Sequence, residues 1–289
     1  MKPNGKVLCA TGVVAGLLAF FWKDDFNPES LSGARVLVTG ASAGIGEQIA
    51  YHYARFGAEI VLTARREAVL QKVMEKCLTL GAKKVFYISA DMSSPSEPEK
   101  VFQFAVEKLG GLDYLVLNHI GVNRFQMWTG DMEYTSWLMQ VNFLSYVALA
   151  TAALPTLEKN RGSLVVVSSL AGKISIPFTT SYSATKFALD GFFGSLRHEL
   201  IMRKRNVSVT LCILGLIDTE SALENTRGKL QHLSASPAPE AALAIIRGGA
   251  TRVHEVFYPW WLQQLCCLQA LFPSRGNQVI RSFYNYSSP

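Results

Sequence analysis

From Arg35 onward the chain alternates short apolar runs with longer amphipathic stretches. RVLVT (35–39), EIVLT (59–63), VFYIS (85–89), YLVLN (114–118), SLVVVSS (163–169), VSVTLCIL (207–214) and EVFYP (255–259) have the short, nearly continuous apolar character of strands buried on both faces. Helical stretches lie between them. One follows a glycine-rich turn and runs through IAYHYARF, and the next is AVLQKVMEKCLTL with Gly81 as its stop. Others span about 98–109 and about 134–158, and one carrying Tyr182 and Lys186 extends to about Arg203. Such alternation predicts an α/β fold, doubly wound, with a mainly parallel sheet of seven strands and right-handed crossovers. No repeat, low-complexity segment or linker interrupts 30–259, so this stretch is expected to form one domain.

The two ends differ from this core. Val7 to Trp22 is an uncharged apolar run; at 1.5 Å per residue it spans about 24 Å, short of a hydrocarbon core of about 30 Å. Lys2 and Lys6 precede it and Lys23-Asp24-Asp25 follows, which directs the N-terminus to the cytosol and the rest across the membrane. Residues 1–29 are therefore expected to be an uncleaved signal anchor and linker, giving a luminal domain on the endoplasmic reticulum. The alternative is a cleaved signal and secretion, for which the small residues a cleavage site needs are poorly placed. The sequons Asn206-Val-Ser208 and Asn285-Tyr-Ser287 are compatible with either location. The stretch 256–272, VFYPWWLQQLCCLQALF, suits a membrane interface, a packed helix or a subunit contact, so 260–289 is expected to be an apolar extension.

Composition narrows the partners. Of 289 residues, 49% are hydrophobic and 17% charged, enough for a sizeable core and unlike a disordered chain. The net charge of +6 comes from scattered lysines and arginines without a basic stripe, so nucleic acid is not an expected partner. Five cysteines (Cys9, Cys77, Cys212, Cys266, Cys267) have neither ligand spacing nor a paired framework, and no metal site is expected.

The chemistry sits at the ends of the apolar runs. Thr39-Gly40-Ala41-Ser42-Ala43-Gly44-Ile45-Gly46 joins the first strand to the first helix. Glycines there let backbone amides approach a pyrophosphate at a helix N-terminus. After the second strand comes Arg65-Arg66 rather than an acid, which suits a 2′-phosphate and points to NADP, with Ser42 adding a hydroxyl. Of the two arginines, Arg66 is the one more readily explained as a solvated helix-terminal charge. Tyr182 and Lys186 share a helix face one turn apart, and a nearby ammonium is expected to draw the phenol pKa down toward the working range. Ser169, thirteen residues before the tyrosine, supplies a hydroxyl for a substrate oxygen.

With these elements in order, the chain resembles the short-chain dehydrogenase/reductase family over about 30–260. Leu117-Asn-His-Ile120, Val141-Asn-Phe-Leu-Ser-Tyr146 and Leu214-Gly-Leu-Ile-Asp-Thr219 are similar to its 11β-hydroxysteroid dehydrogenase type 1 branch. The resemblance implies a Rossmann fold, a homodimer and a tetrad of Asn142, Ser169, Tyr182 and Lys186, with Asn142 anchoring a proton-relaying water. It implies that Asp91 and Met92 hold the adenine end, that Asn118, His119 and Ile120 line the nicotinamide ribose, and that Ile217, Asp218, Thr219, Glu220 and Ser221 close over the cofactor. Leu170, Ala171 and Ile176 would meet a lipophilic, steroid-like substrate beside Ser169; Ile176 stands where the type 1 enzyme has an aromatic residue. His119 reads as a packed histidine rather than a catalyst, and 219–238 as a lid. Retinoid or other lipid-carbonyl reduction, and a non-catalytic NADP-binding scaffold, are the alternative functions.

Overall fold

The computed structural model describes residues 26–285 apart from His232. The expected anchor at 7–22 and Ser287 of the second sequon lie outside the described residues.

The strands are β1 (Arg35–Thr39), β2 (Glu59–Ala64), β3 (Lys84–Ser89), β4 (Tyr114–Leu117), β5 (Ser163–Ser169), β6 (Ser208–Leu214) and β7 (Glu255–Tyr258). They form one sheet in the order β3-β2-β1-β4-β5-β6-β7, and every pairing is parallel. The chain builds outward from β1 to β3, then returns to lay β4 against the other side of β1. Val38 is thus level with Leu62 on one flank and Val116 on the other. That reversal opens a crevice at the carboxyl ends of β1 and β4, where such sheets bind ligands.

Helices cover both faces. The first set is α1 (Gly44–Arg55), α2 (Glu67–Thr79) and α3 (Glu97–Leu109), and α4 (Met132–Met139) and α5 (Ser145–Asn160) follow β4. The helix α6 (Thr180–Met202) follows β5, α7 (Glu220–Thr226) and α8 (Ala238–Ala250) follow β6, and α9 (Leu262–Leu271) and α10 (Pro273–Ser282) end the chain. Ile49, Tyr53 and Leu70 join Ile245 of α8 under one face of the sheet. Phe102, Leu149, Leu157 and Phe193 fill the other. Leu37 and Val38 are fully buried on opposite faces, which is why the strand sequences show no polar alternation.

One element departs from expectation. The helix expected over 134–158 is instead α4 and α5 joined by a π-turn at Gln140–Leu144. A π-turn adds one residue and shifts the following side chains around the axis. The stretch from Val141 to Ala153 is apolar on most of its faces, so periodicity does not register the shift.

Candidate active site

The glycine turn is shaped by contact. Gly40 has φ +66°, and a Cβ there would lie 2.8 Å from the His119 Cα. A Cβ on Gly46 would lie 2.6 Å from Asn118 Nδ2 and overlap the Gly40 carbonyl oxygen. Asn118 is the clamp on this turn. Its amide donates to Thr39 O (3.1 Å) and Gly40 O (3.4 Å), and its backbone N–H donates to Thr39 Oγ1 (2.9 Å). Its main task in the structure is therefore to hold the turn, beyond the ribose contact that the resemblance implied. Ala41 is buried in the core, whereas Ser42, Ala43, Gly44 and Ile45 line a cleft of about 720 Å³.

That cleft extends past Thr63, Arg65 and Arg66 to Asp91 and Met92. It fits a dinucleotide on three counts. The N-terminus of α1 opens into it with Ala43 at the cap position making no side-chain bond, so first-turn amides face an incoming anion. Thr63 Oγ1 is buried there without a partner. Arg66 reaches across the mouth and donates to Ser42 O (3.2 Å) and lies 3.4 Å from Ser42 Oγ. Both arginines are exposed, and Arg66 is the one that touches Ser42; the Arg65 carbonyl accepts from Ser89 Oγ (3.0 Å). Asp91 accepts from Ser93 N (2.9 Å), shaping its own turn.

The segment 217–221 divides its labour. Ile217 is in the core, Asp218 accepts from Ala238 N (2.6 Å) at the start of α8, and Thr219 caps α7 by accepting from Ala222 N (3.3 Å). Asp218, Thr219, Glu220 and Ser221 all line the cleft. The stretch expected as a lid is tied down by bridges of Ile217 to Ser236 and Leu230 to Tyr284.

A second cavity of about 280 Å³ adjoins the first and shares Asn118, Ile120 and Thr219 with it. Ser169, Tyr182 and Lys186 stand in its wall with Leu170, Ala171 and Ile176, so the structure brings these six predicted residues together. Ser169 ends β5 and accepts from Ala171 N (3.2 Å) as the chain enters a 3-10 turn at Leu170–Gly172. Lys186 is fully buried, donates to Val167 O (3.0 Å), and has its Nζ 5.6 Å from the Tyr182 ring centre.

The electrostatics correct one expectation. Burial, not the ammonium, dominates the phenol: it pushes Tyr182 up to about 12, with Ser169's hydrogen bond pulling the other way. Burial also drives Lys186 down to about 7, so its pull on the tyrosine is diminished at neutral pH. Asn142 is buried at the centre of the π-turn; it accepts from Gly121 N (2.8 Å) and donates to Thr185 Oγ1 (3.3 Å). Thr185 Oγ1 donates to Tyr182 O (2.7 Å), so Asn142 reaches the helix that carries Tyr182 and Lys186 through that hydroxyl.

Sequence reasoning missed Phe125, Phe178 and Tyr284. Their rings cluster with centres 5.5–6.1 Å apart, and Phe125 and Tyr284 line the second cavity. Tyr284 arrives from the chain terminus, paired with Leu230. No local motif marks that approach. The stretch expected as an apolar extension thus supplies part of the pocket wall.

This fold and site define an oxidoreductase of the short-chain dehydrogenase/reductase family, to which the chain belongs: residues 34–229 match the short chain dehydrogenase family. The chain is 78% identical to the hydroxysteroid 11-beta-dehydrogenase 1-like protein of Gallus gallus over 289 residues, all of both chains. It is 56% identical to the protein of that name in Danio rerio over 287 residues, 99% of this chain and 100% of the relative. Among solved structures, an alcohol dehydrogenase from Thermococcus sibiricus complexed with 5-hydroxy-NADP is similar at 27% identity and TM-score 0.67, covering 77% of this chain and 94% of that one. A short chain dehydrogenase from Burkholderia cenocepacia in complex with NADP is similar at 26% identity and TM-score 0.69, covering 78% and 96%.

Proposed function

We propose that this protein is an NADP(H)-dependent oxidoreductase that interconverts a hydroxyl and a ketone on a steroid or a similar lipophilic molecule. The observation that carries this reading is the junction of the two cavities. Ser169 and Tyr182 stand in the wall of an apolar pocket that adjoins a cleft whose far end holds Arg66 and Ser42. The nicotinamide, when bound, supplies or accepts the hydride. Tyr182 donates a proton to the developing alkoxide in reduction and removes it in oxidation; burial keeps it in its acid form, which favours the reductive role. Ser169 donates to the substrate oxygen where charge develops. Lys186 would meet the ribose of a bound cofactor, and Asn142 with Thr185 steadies the helix that carries Tyr182 and Lys186. The name of the 78% identical relative supports the steroid class, as does the apolar wall of Leu170, Ala171, Ile176 and Leu216.

The test is a panel of hydroxysteroids, retinoids and simpler lipophilic carbonyls with the purified full chain and NADPH or NADH. Turnover is expected with NADPH and a steroid-like ketone. Binding of NADPH without turnover of any member would favour a scaffold, and retinoid turnover alone would move the substrate class.

The arginine pair sets the cofactor. Arg65→Ala and Arg66→Ala are each expected to weaken NADPH by about 10- to 100-fold, the scale of a charged hydrogen bond, and NADH far less. Equal losses for both cofactors in titrations would remove the 2′-phosphate assignment. For the pocket, Tyr284→Ala is expected to raise KM for a flat polycyclic substrate by roughly tenfold through lost apolar contact, and to spare a small one. Equal KM changes across substrate sizes would exclude Tyr284 from the wall.

The setting follows the same reasoning. The exposed Trp260, Trp261, Leu271 and Phe272, of which Trp261 lines the pocket, suit shallow burial in a membrane surface, in keeping with anchoring by residues 7–22 in the endoplasmic reticulum and a luminal domain. The half-exposed Leu144, Phe187 and Phe192 on the α5 and α6 side suit a homodimer.

A further inference from the structure

His119 has no part in the proton and hydride transfers just described, yet both of its ring nitrogens are engaged in the buried interior beside the site. Its Nδ1 lies 2.8 Å from Thr39 Oγ1 at the end of β1, and its Nε2 lies 2.7 Å from Ser145 Oγ at the start of α5. The ring rests 4.5 Å from that of Tyr146, whose hydroxyl donates to His119 O (2.6 Å). Burial, seconded by the Lys186 ammonium, holds it far down, at about 3, so it is neutral.

The donors and acceptors around it allow one self-consistent arrangement. Thr39 Oγ1 already accepts from the backbone N–H of Asn118 (2.9 Å) and of His119 (3.3 Å), which uses both lone pairs. Its single proton must then go outward, either to Nδ1 at 2.8 Å or to the more distant Val116 O at 3.1 Å. A proton on Nδ1 would be a third donor aimed at the same oxygen. Nδ1 is therefore the acceptor and Nε2 carries the proton. Nε2–H then donates to Ser145 Oγ, and the Ser145 hydroxyl donates to Val141 O (2.7 Å). Nδ1, Nε2–H, the Ser145 hydroxyl and the Val141 carbonyl then each have a partner.

The far end of this chain is the π-turn. In an α-helix the Ser145 N–H would bond to Val141 O; here it bonds to Gln140 O instead. The Val141 carbonyl receives the Ser145 hydroxyl in its place, and His119 fixes which way that hydroxyl points. The neighbouring residue is Asn142, whose side chain holds Gly121 N and Thr185 Oγ1.

We propose that His119 is a positioning residue: as the Nε2–H imidazole it ties the end of β1 to the π-turn through Ser145, and so sets Asn142 behind the Tyr182 and Lys186 helix. The part of this that concerns turnover rests on the oxidoreductase reading; the part that concerns the turn does not. Glutamine can reproduce the Nε2–H donor to Ser145, whereas leucine fills the space with no donor.

The experiment uses full-length wild type, H119L, H119Q and S145A. In ¹⁵N-histidine-labelled wild type, the resonance lost in H119L is expected to show the Nε2–H tautomer. Amide hydrogen exchange is expected to rise across 140–146 and at Gly121 in H119L and S145A, and to stay near wild type in H119Q. With a substrate found in the panel, kcat is expected to fall roughly 10- to 100-fold in H119L, the effect of slight misplacement of catalytic groups, with NADPH affinity and KM little changed and H119Q restoring most of the rate. An Nδ1–H tautomer, or exchange that is unchanged or raised throughout the domain, would overturn the proposal. So would an H119Q as impaired as H119L. Absence of any wild-type turnover would instead tell against the oxidoreductase reading, and the tautomer and exchange results would still decide the role of His119 at the turn.

Discussion

Tyr182→Phe is expected to lower kcat by about 10³-fold while changing NADPH affinity by no more than roughly twofold, since a positioned acid/base contributes on the order of 10²–10⁴ to rate. The phenyl ring keeps the packing of a half-buried side chain and removes only the hydroxyl that Ser169 faces. Initial rates with the best panel substrate, beside a fluorescence titration of NADPH, make the comparison. A variant that keeps a tenth or more of the wild-type rate would exclude the phenol as the proton donor. The pH profile has a sign too. Burial puts Tyr182 at about 12, so its acid form persists throughout the usual assay range. A break near pH 7 that disappears in Lys186→Met is the expected mark of Lys186, which burial brings to about 7.

The second large effect joins function to stability. Lys186 has an ordinary pKa of 10.5 and is brought down to about 7 in the folded protein. Between those values the unfolded chain holds more protons, so this residue makes stability rise with pH from about 7 to 10.5. At pH 7 its burial costs on the order of 4 kcal/mol relative to an unperturbed lysine. Lys186→Met removes that cost but leaves Val167 O without this donor, a loss of about 1–3 kcal/mol. The variant is expected to lose turnover and still be more stable than wild type at pH 7, with the balance shifting toward wild type by about 3 kcal/mol by roughly pH 9.5, which closes or inverts the gap. Denaturant unfolding of both proteins at the two pH values reads this directly. A variant less stable at pH 7, with a gap independent of pH, would mean that the buried ammonium carries no such penalty. Stability given up at a reactive group is the expected sign of a functional site.

Much of the site was legible because its chemistry is local. Gly40, Gly44 and Gly46 announce themselves as a turn after an apolar run, and Tyr182 and Lys186 share a face through helical geometry alone. Ser169 is found at the end of the next such run upstream. The assignments that needed revision depended on distant chain. The pull of Lys186 on Tyr182 was read from spacing, but Lys186 is fully buried and Tyr182 half-buried, and desolvation is the largest influence on each. From the sequence Arg66 reads as the solvated one of the pair; the fold instead brings Arg66, not Arg65, to Ser42 on the neighbouring turn.

Hydrophobic pattern by itself determined the alternation of strand and helix, the parallel sheet and the position of the glycine turn, because each follows from the period of neighbouring residues. Only tertiary structure decided where Asn142 points, what His119 is for and which residues close the pocket. The π-turn at 140–144 is linked to Thr39 at the end of β1 through His119, which follows β4, and Ser145, which begins α5, and the pocket wall includes Tyr284, more than a hundred positions from Ser169. Buried polar groups must find partners wherever the chain brings them, and those partners carry no sequence period.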